Sequence, residues 1–158
     1  MTGIEVVTPG KMPHLPAGSE SRQAVGVELE ADSLEELFAE ATLALCNCIT
    51  EARDVMPRES RLVELAAPDA DALLLAWLRE LVAVFAGEGL LFSVARIKIT
   101  SPGADGMTLE AQAWGEPFDP TRHAFRRSVD TIDPQALRIV RHEGRWRTRL
   151  SCSGPPVA

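Results

Sequence analysis

The sequence predicts an α+β domain, a two-layer sandwich in which a mixed β-sheet carries two helices packed on one face. Two stretches repeat apolar residues at helical spacing, and several others alternate apolar and polar residues at strand spacing. Their order is βαβα followed by a run of strands. Two helices are too few to cover both faces of so large a sheet, so both are expected on the same one.

Residues 1–23 read as a flexible arm, because Pro13, Pro16, Gly18 and Ser19 sit among few apolar neighbours. A short strand over Ile4–Val7 is the only regular element expected there. From Ala24 to Ala31, Val25, Val27 and Leu29 share one face and Glu28 and Glu30 the other, the pattern of a half-buried strand. Ser33 with Glu36 three residues on makes a capping box, and Leu34, Leu37, Phe38, Ala41, Leu45, Cys48 and Ile49 then recur at helical spacing to about residue 52.

Pro57 breaks the chain, and Arg58–Ala66 reads as a strand with Val63 and Leu65 inward. Asp69 or Asp71 caps a second helix. Leu73, Leu74, Trp77, Leu78, Leu81, Val82 and Phe85 give it a wide apolar face, and Gly87 and Gly89 end it. This helix is expected to be the most buried element. Ala95–Ile99 and Met107–Ala113 alternate on either side of the turn-rich segment 101–106, a hairpin. Ala136–Arg141 and Arg145–Cys152 form another around His142-Glu143-Gly144, with Arg147 and Arg149 opposite to Trp146, Thr148 and Leu150. The domain is expected over residues 24–153, with an open tail over 154–158.

The 158 residues suit one domain, and 46% hydrophobic with 25% charged residues is an ordinary globular balance. No apolar run reaches the roughly 18 residues a membrane span needs. The first residues lack a basic start and an apolar centre, so a cytoplasmic location is expected. Cys46, Cys48 and Cys152 are too few for a disulfide framework. Cys46 and Cys48 point about 200° apart on a helix and are read as buried packing residues, inert as nucleophiles.

A net charge of −7 argues against a general nucleic-acid binder. Between residues 121 and 150, however, eight arginines face three acids, a basic third suited to a phosphate or an acidic partner. The plainer reading is that these arginines line the solvent face of strands. No phosphate loop, GxSxG elbow, HExxH or paired CxxC is present. The acid–base candidates lie in a loop from Gly115 to His123, where Asp119 and His123 are suited to a metal or a proton. The alternative is that Asp119 caps the local turn and His123 anchors the next strand. His14 and His142 read as solvated.

Three segments resemble the archease family: Gly26-Val27 through Ser33–Phe38 into Ala41–Leu45; Leu74–Leu81 with Phe85 and Glu88–Phe92; and Gly115–His123. The resemblance spans about residues 24–153 and implies a sheet with two helices on one side. It implies an accessory protein that promotes guanylylation and turnover of a GTP-dependent RNA-splicing ligase, acting in tRNA splicing and RNA repair with a bound divalent metal. Aligned on Gly26, the family's His-Thr-Ala-Asp stretch falls on Ser21–Ala24, so its acidic metal ligand is Ala24 here. The family's lysine falls on Asp130, its Tyr-His pair on Pro134-Gln135 and its C-terminal aspartate on Ser153. Glu116, Asp119 and His123 keep polar identities. The expectation is therefore an archease-like protein, not an enzyme, that binds no metal in the family's way. Its expected partner is the ligase, meeting RNA only indirectly through Glu116, Asp119, His123, Arg147 and Arg149. A diverged fold serving only as a protein-binding module is the second reading, and a small metal-dependent enzyme using Asp119 and His123 the third.

Overall fold

Short polar residues set where the elements begin. Ser33 Oγ accepts the Glu36 amide at 3.1 Å, and Glu36 Oε1 in turn accepts the Asp32 amide at 3.2 Å, so the capping box forms. Asp69, rather than Asp71, caps the second helix by accepting the Ala72 amide at 2.8 Å. Asp71 instead accepts the Ile139 amide at 2.9 Å, tying that helix to a later loop. In the computed structural model, residues 23–101 and 106–155 are described. The expected arm, Ile4–Val7 and His14 lie outside them.

The elements are β1 (Gln23–Ala31), α1 (Leu34–Ile49), a 3-10 turn (Ala52–Asp54), β2 (Glu59–Ala67), α2 (Ala70–Glu88) and β3 (Leu90–Thr100), followed by β4 (Met107–Pro117), β5 (Thr131–Ile132), β6 (Val140–His142) and β7 (Arg145–Gly154). Gln23 thus already belongs to β1, Gly154 still belongs to β7, and the two pair. Gly87 lies inside α2, which ends at Gly89 in the left-handed conformation, φ 70°. The segment expected as a strand from Ala136 shortens to Val140–His142, because residues 134–137 form turns that bury Leu137. At the hairpin tip Glu143 and Gly144 both take positive φ, 53° and 82°.

The fold is α+β, with two sheets rather than one mixed sheet. One joins β1, β7 and β5, with β6 on β7; the other has the order β2-β4-β3. Every strand pairing among the described residues is antiparallel. The connection through α1 leads from one sheet to the other, so it creates no parallel neighbours. The connection through α2 does return a strand parallel to β2, but β4 lies between β2 and β3 and hydrogen-bonds to both.

Helix α1 packs against β1 and β7 of one sheet and β3 of the other, whereas α2 packs mainly against β2, β3 and β4. This makes α1, not α2, the more completely buried helix. Leu37, Phe38, Ala41, Thr42, Leu45, Cys46, Cys48 and Ile49 are all buried around its circumference. It also explains why Cys46 and Cys48, on opposite sides of α1, are both buried. The helices are tied where the Trp77 indole N–H donates to Thr42 Oγ1 at 2.9 Å, which satisfies the one polar atom of a fully buried ring. Among the described residues no helix is long and apolar enough to cross a membrane.

Candidate functional site

Gly115 decides the shape of the site. A Cβ here would collide with the Leu91 carbonyl, so only glycine lets β3 and β4 approach this closely, beside the irregularity between Phe92 and Val94. Pairing therefore continues to Pro117, and Gly115 and Glu116, expected in a loop, are the last turns of a strand. The continuation carries the Glu116 carboxyl into the core, where it is 2% exposed.

A buried carboxylate persists only if its oxygens are fully engaged. Glu116 Oε2 accepts the Met56 amide at 2.8 Å and lies 3.0 Å from His123 Nε2. Its Oε1 meets Arg122 at 2.5 Å and Arg58 Nε at 3.2 Å. Burial pushes the carboxyl up, but the Met56 amide, Arg122 and His123 outweigh it and hold it below its ordinary range. His123 is itself buried. Its Nδ1 accepts the Asp119 amide at 2.9 Å, so the proton of the neutral ring sits on Nε2, which donates to Glu116 and faces the Asp54 carbonyl at 3.1 Å. Both ring nitrogens are thereby spent. Asp119 Oδ1 accepts from the Thr121 amide at 2.9 Å and the Thr121 hydroxyl at 2.7 Å, the bonds of a capped turn. Those bonds hold its carboxyl low.

The segment after this knot, 124–130, crosses the C-terminal end of α1. That end carries unpaired carbonyls and the negative pole of the helix, and α1 has no basic residue in its own last turn. Arg126 supplies its backbone N–H to Ile49 O at 2.7 Å and its guanidinium to Asn47 O at 2.7 Å, and pairs with Glu51. Arg127 donates to Cys48 O at 3.0 Å. The segment then reaches β7, where the Asp130 amide donates to Ser153 O at 3.0 Å.

Ser153 is the direct cross-strand partner of Ala24. The two positions on which the resemblance puts acidic ligands are therefore adjacent, and they present a hydroxyl and a methyl. A hard divalent cation takes several oxygens, carboxylates above all. Among the described residues no three His, Cys, Asp or Glu side chains converge to hold one. The donor set here does not fit such an ion.

The five expected contact residues thus fall into two groups. Glu116, Asp119 and His123 come together, but burial removes Glu116 and His123 from direct contact with a partner. Arg147 and Arg149 lie exposed on β7, beside the acidic face of β1. Arg149 meets Glu28 at 2.8 Å, Arg147 meets Glu30 at 3.5 Å, and Arg145 meets Asp32 at 3.0 Å. Arg141 lies over the Trp146 ring at 4.5 Å. Much of the basic third is therefore matched within the protein. The roles of Arg58, Arg126 and Arg127 were not visible in the sequence, because each acts on a partner roughly sixty to eighty positions away.

The comparisons with known proteins agree with this architecture. Residues 24–151 match the model of the archease protein family. An archease from Thermococcus gammatolerans is 36% identical over 127 residues, covering 80% of this chain and 89% of that protein. One from Pyrococcus abyssi is 34% identical over the same shares of each chain. The solution structure of Methanobacterium thermoautotrophicum protein 1598 superposes with a TM-score of 0.69 at 26% identity, covering 83% of this chain and 92% of that one. A Thermotoga maritima archease, described as a possible chaperone, has a TM-score of 0.55 at 12% identity over 82% and 90%, a likeness of fold alone. These relatives are named as archeases or as a possible chaperone, not as catalysts. The chain belongs to the archease family.

Proposed function

We propose that this chain is a non-catalytic accessory protein that modulates a GTP-dependent RNA ligase in tRNA splicing or RNA repair, and that it works without the divalent metal the resemblance implies. Family membership supports the first half. The observation that carries the second is the pairing of Ala24 with Ser153, which offers one neutral oxygen between them. The ligase-facing surface would be the exposed part of the expected set, Asp119, Arg147 and Arg149, with Glu116 and His123 holding the loop that presents Asp119. The protein would act in the cytoplasm.

A guanylylation assay of the ligase from the same host, run with and without this chain, tests the role. Faster guanylylation or further turnovers are expected. A flat response at saturating chain favours the second reading, an archease fold kept as a protein-binding module, which the loss of the acidic pair also supports. Thermal melting with calcium, magnesium or manganese tests the metal. No shift is expected for the native chain, and the Ala24→Asp, Ser153→Asp double variant should gain one. A metal-dependent enzyme built on Asp119 and His123 has little support. His123 would have to release the Asp119 amide to free a lone pair, and Asp119 to give up its turn.

A further inference from the structure

Cys48 and Cys152 are 104 positions apart in the sequence, yet their buried thiols hydrogen-bond to each other where α1 packs on β7. Cys152 is on the inward face of β7, directly across from Val25 of β1. Cys48 differs from the other two cysteines in one respect. It lines a cleft of about 380 Å3 between β1 and α1, walled by Val25, Val27, Leu43 and Ala44 with Arg126 and Arg127 beside it. Those two arginines are held in place by the carbonyls at the end of α1.

We propose that Cys48 and Cys152 form an oxidisable dithiol, reached through this cleft by a small hydroperoxide and closed to an intramolecular disulfide. In the first step the Cys48 sulfur attacks the peroxide. An S–O bond forms, the O–O bond breaks, and the leaving hydroxide takes the thiol proton as water. In the second step the Cys152 sulfur attacks Cys48, the S–S bond forms and the S–O bond breaks. The departing hydroxide takes the Cys152 proton as a second water. Each sulfur gives up one electron and the peroxide receives two.

The neighbours assign the order. The hydrogen bond from Cys152, with Arg127 and Arg126 nearby, draws the Cys48 thiol below its ordinary range against the burial that opposes them. The same hydrogen bond and burial push Cys152 up, which suits it to be the resolving thiol. Cys46 faces the other side of α1, against Leu81, Phe85 and Leu91, and burial and then Cys48 push it up to about 12. It serves as the internal control. Two thiols already in hydrogen-bond contact need to close by only about 1.5–2 Å to reach bonding distance, a shift that side-chain rotation can supply.

The test treats the full-length native chain with hydrogen peroxide, with far-UV circular dichroism confirming that it stays folded, and maps its peptides without reduction. The expected product has lost two hydrogens and contains one cross-link, Cys48 to Cys152, reversed by dithiothreitol. Cys46 should remain free to alkylate once the chain is denatured. Closing so long a loop should raise Tm by on the order of 10 °C. Cys152→Ser should stop at a Cys48 sulfenic acid that dimedone traps, and Cys46→Ser should cross-link like the native chain. The native-chain map decides the matter even if a variant folds poorly. Thiols that all stay reduced, a cross-link through Cys46, or bridges only between molecules would each overturn the proposal.

Discussion

Two acid–base clusters in this protein use the same side chains and differ in what surrounds them. At the end of β4, Glu116 meets Arg122, Arg58 and His123 with its carboxyl 2% exposed. On the outer face of β1 and β7, Glu28 and Glu30 meet Arg149 and Arg147 with every side chain more than a third exposed. Water competes for the second set and is excluded from the first. The buried carboxylate therefore depends on its partners, and the exposed pairs hardly do. The comparison separates residues that fix the fold from residues left free to meet something else.

The largest effect should come from breaking the buried cluster. Glu116→Gln removes the charge that Arg122 and Arg58 compensate and leaves an amide hydrogen facing the Met56 N–H or Arg122. A loss of about 3 kcal/mol is expected by urea unfolding, near the lower end for a broken buried pair because both arginines can turn toward water. The same residue fixes an acid limb. Its folded pKa lies below its ordinary 4.5, so its contribution is present above that value and lost as pH falls through the folded pKa. The gap between the native chain and Glu116→Gln should be constant from neutral pH to about 5.5 and narrow below about 4.5. A gap that widens in acid would contradict the assignment of a held carboxylate.

His123→Phe should cost less, about 2 kcal/mol. It keeps a ring of similar size but strands the Asp119 amide and weakens the hold on Glu116 Oε2. Arg127→Ala comes next. It uncovers the Cys48 carbonyl at the negative end of α1, and about 0.5–1 kcal/mol is expected from thermal melts.

These contrasts also mark how far the sequence could be read. Ser33 with Glu36, Asp69 and His142-Glu143-Gly144 act through neighbours within four positions, so their roles were legible as written. The alternation of β1 and β7 likewise put Arg147 and Arg149 on the open face. The division into two sheets was not legible, because periodicity tells which face a strand buries and not which strand it joins. That division makes α1 buried on both sides and brings Cys48 to Cys152. Glu116 was singled out correctly as a residue that matters, but in a loop. Its place at the end of a strand depends on Gly115 passing the Leu91 carbonyl, a contact between positions 24 residues apart. Ala24 and Ser153 were paired by resemblance alone, and the β1–β7 register puts them side by side.

The smallest effect should come from the ladder. Arg149→Gln removes a 2.8 Å contact with Glu28, but both side chains are more than half exposed and water replaces what is lost. At most about 0.5 kcal/mol is expected at low ionic strength, and essentially nothing at 1 M salt, where the screening length falls to about 3 Å. If Arg149→Gln left stability intact but weakened stimulation of the ligase, the ladder would be a contact surface rather than a brace. A stability loss as large as that of Glu116→Gln would erase the distinction between the two clusters, since it would mean that an exposed pair can carry the energy of a buried one.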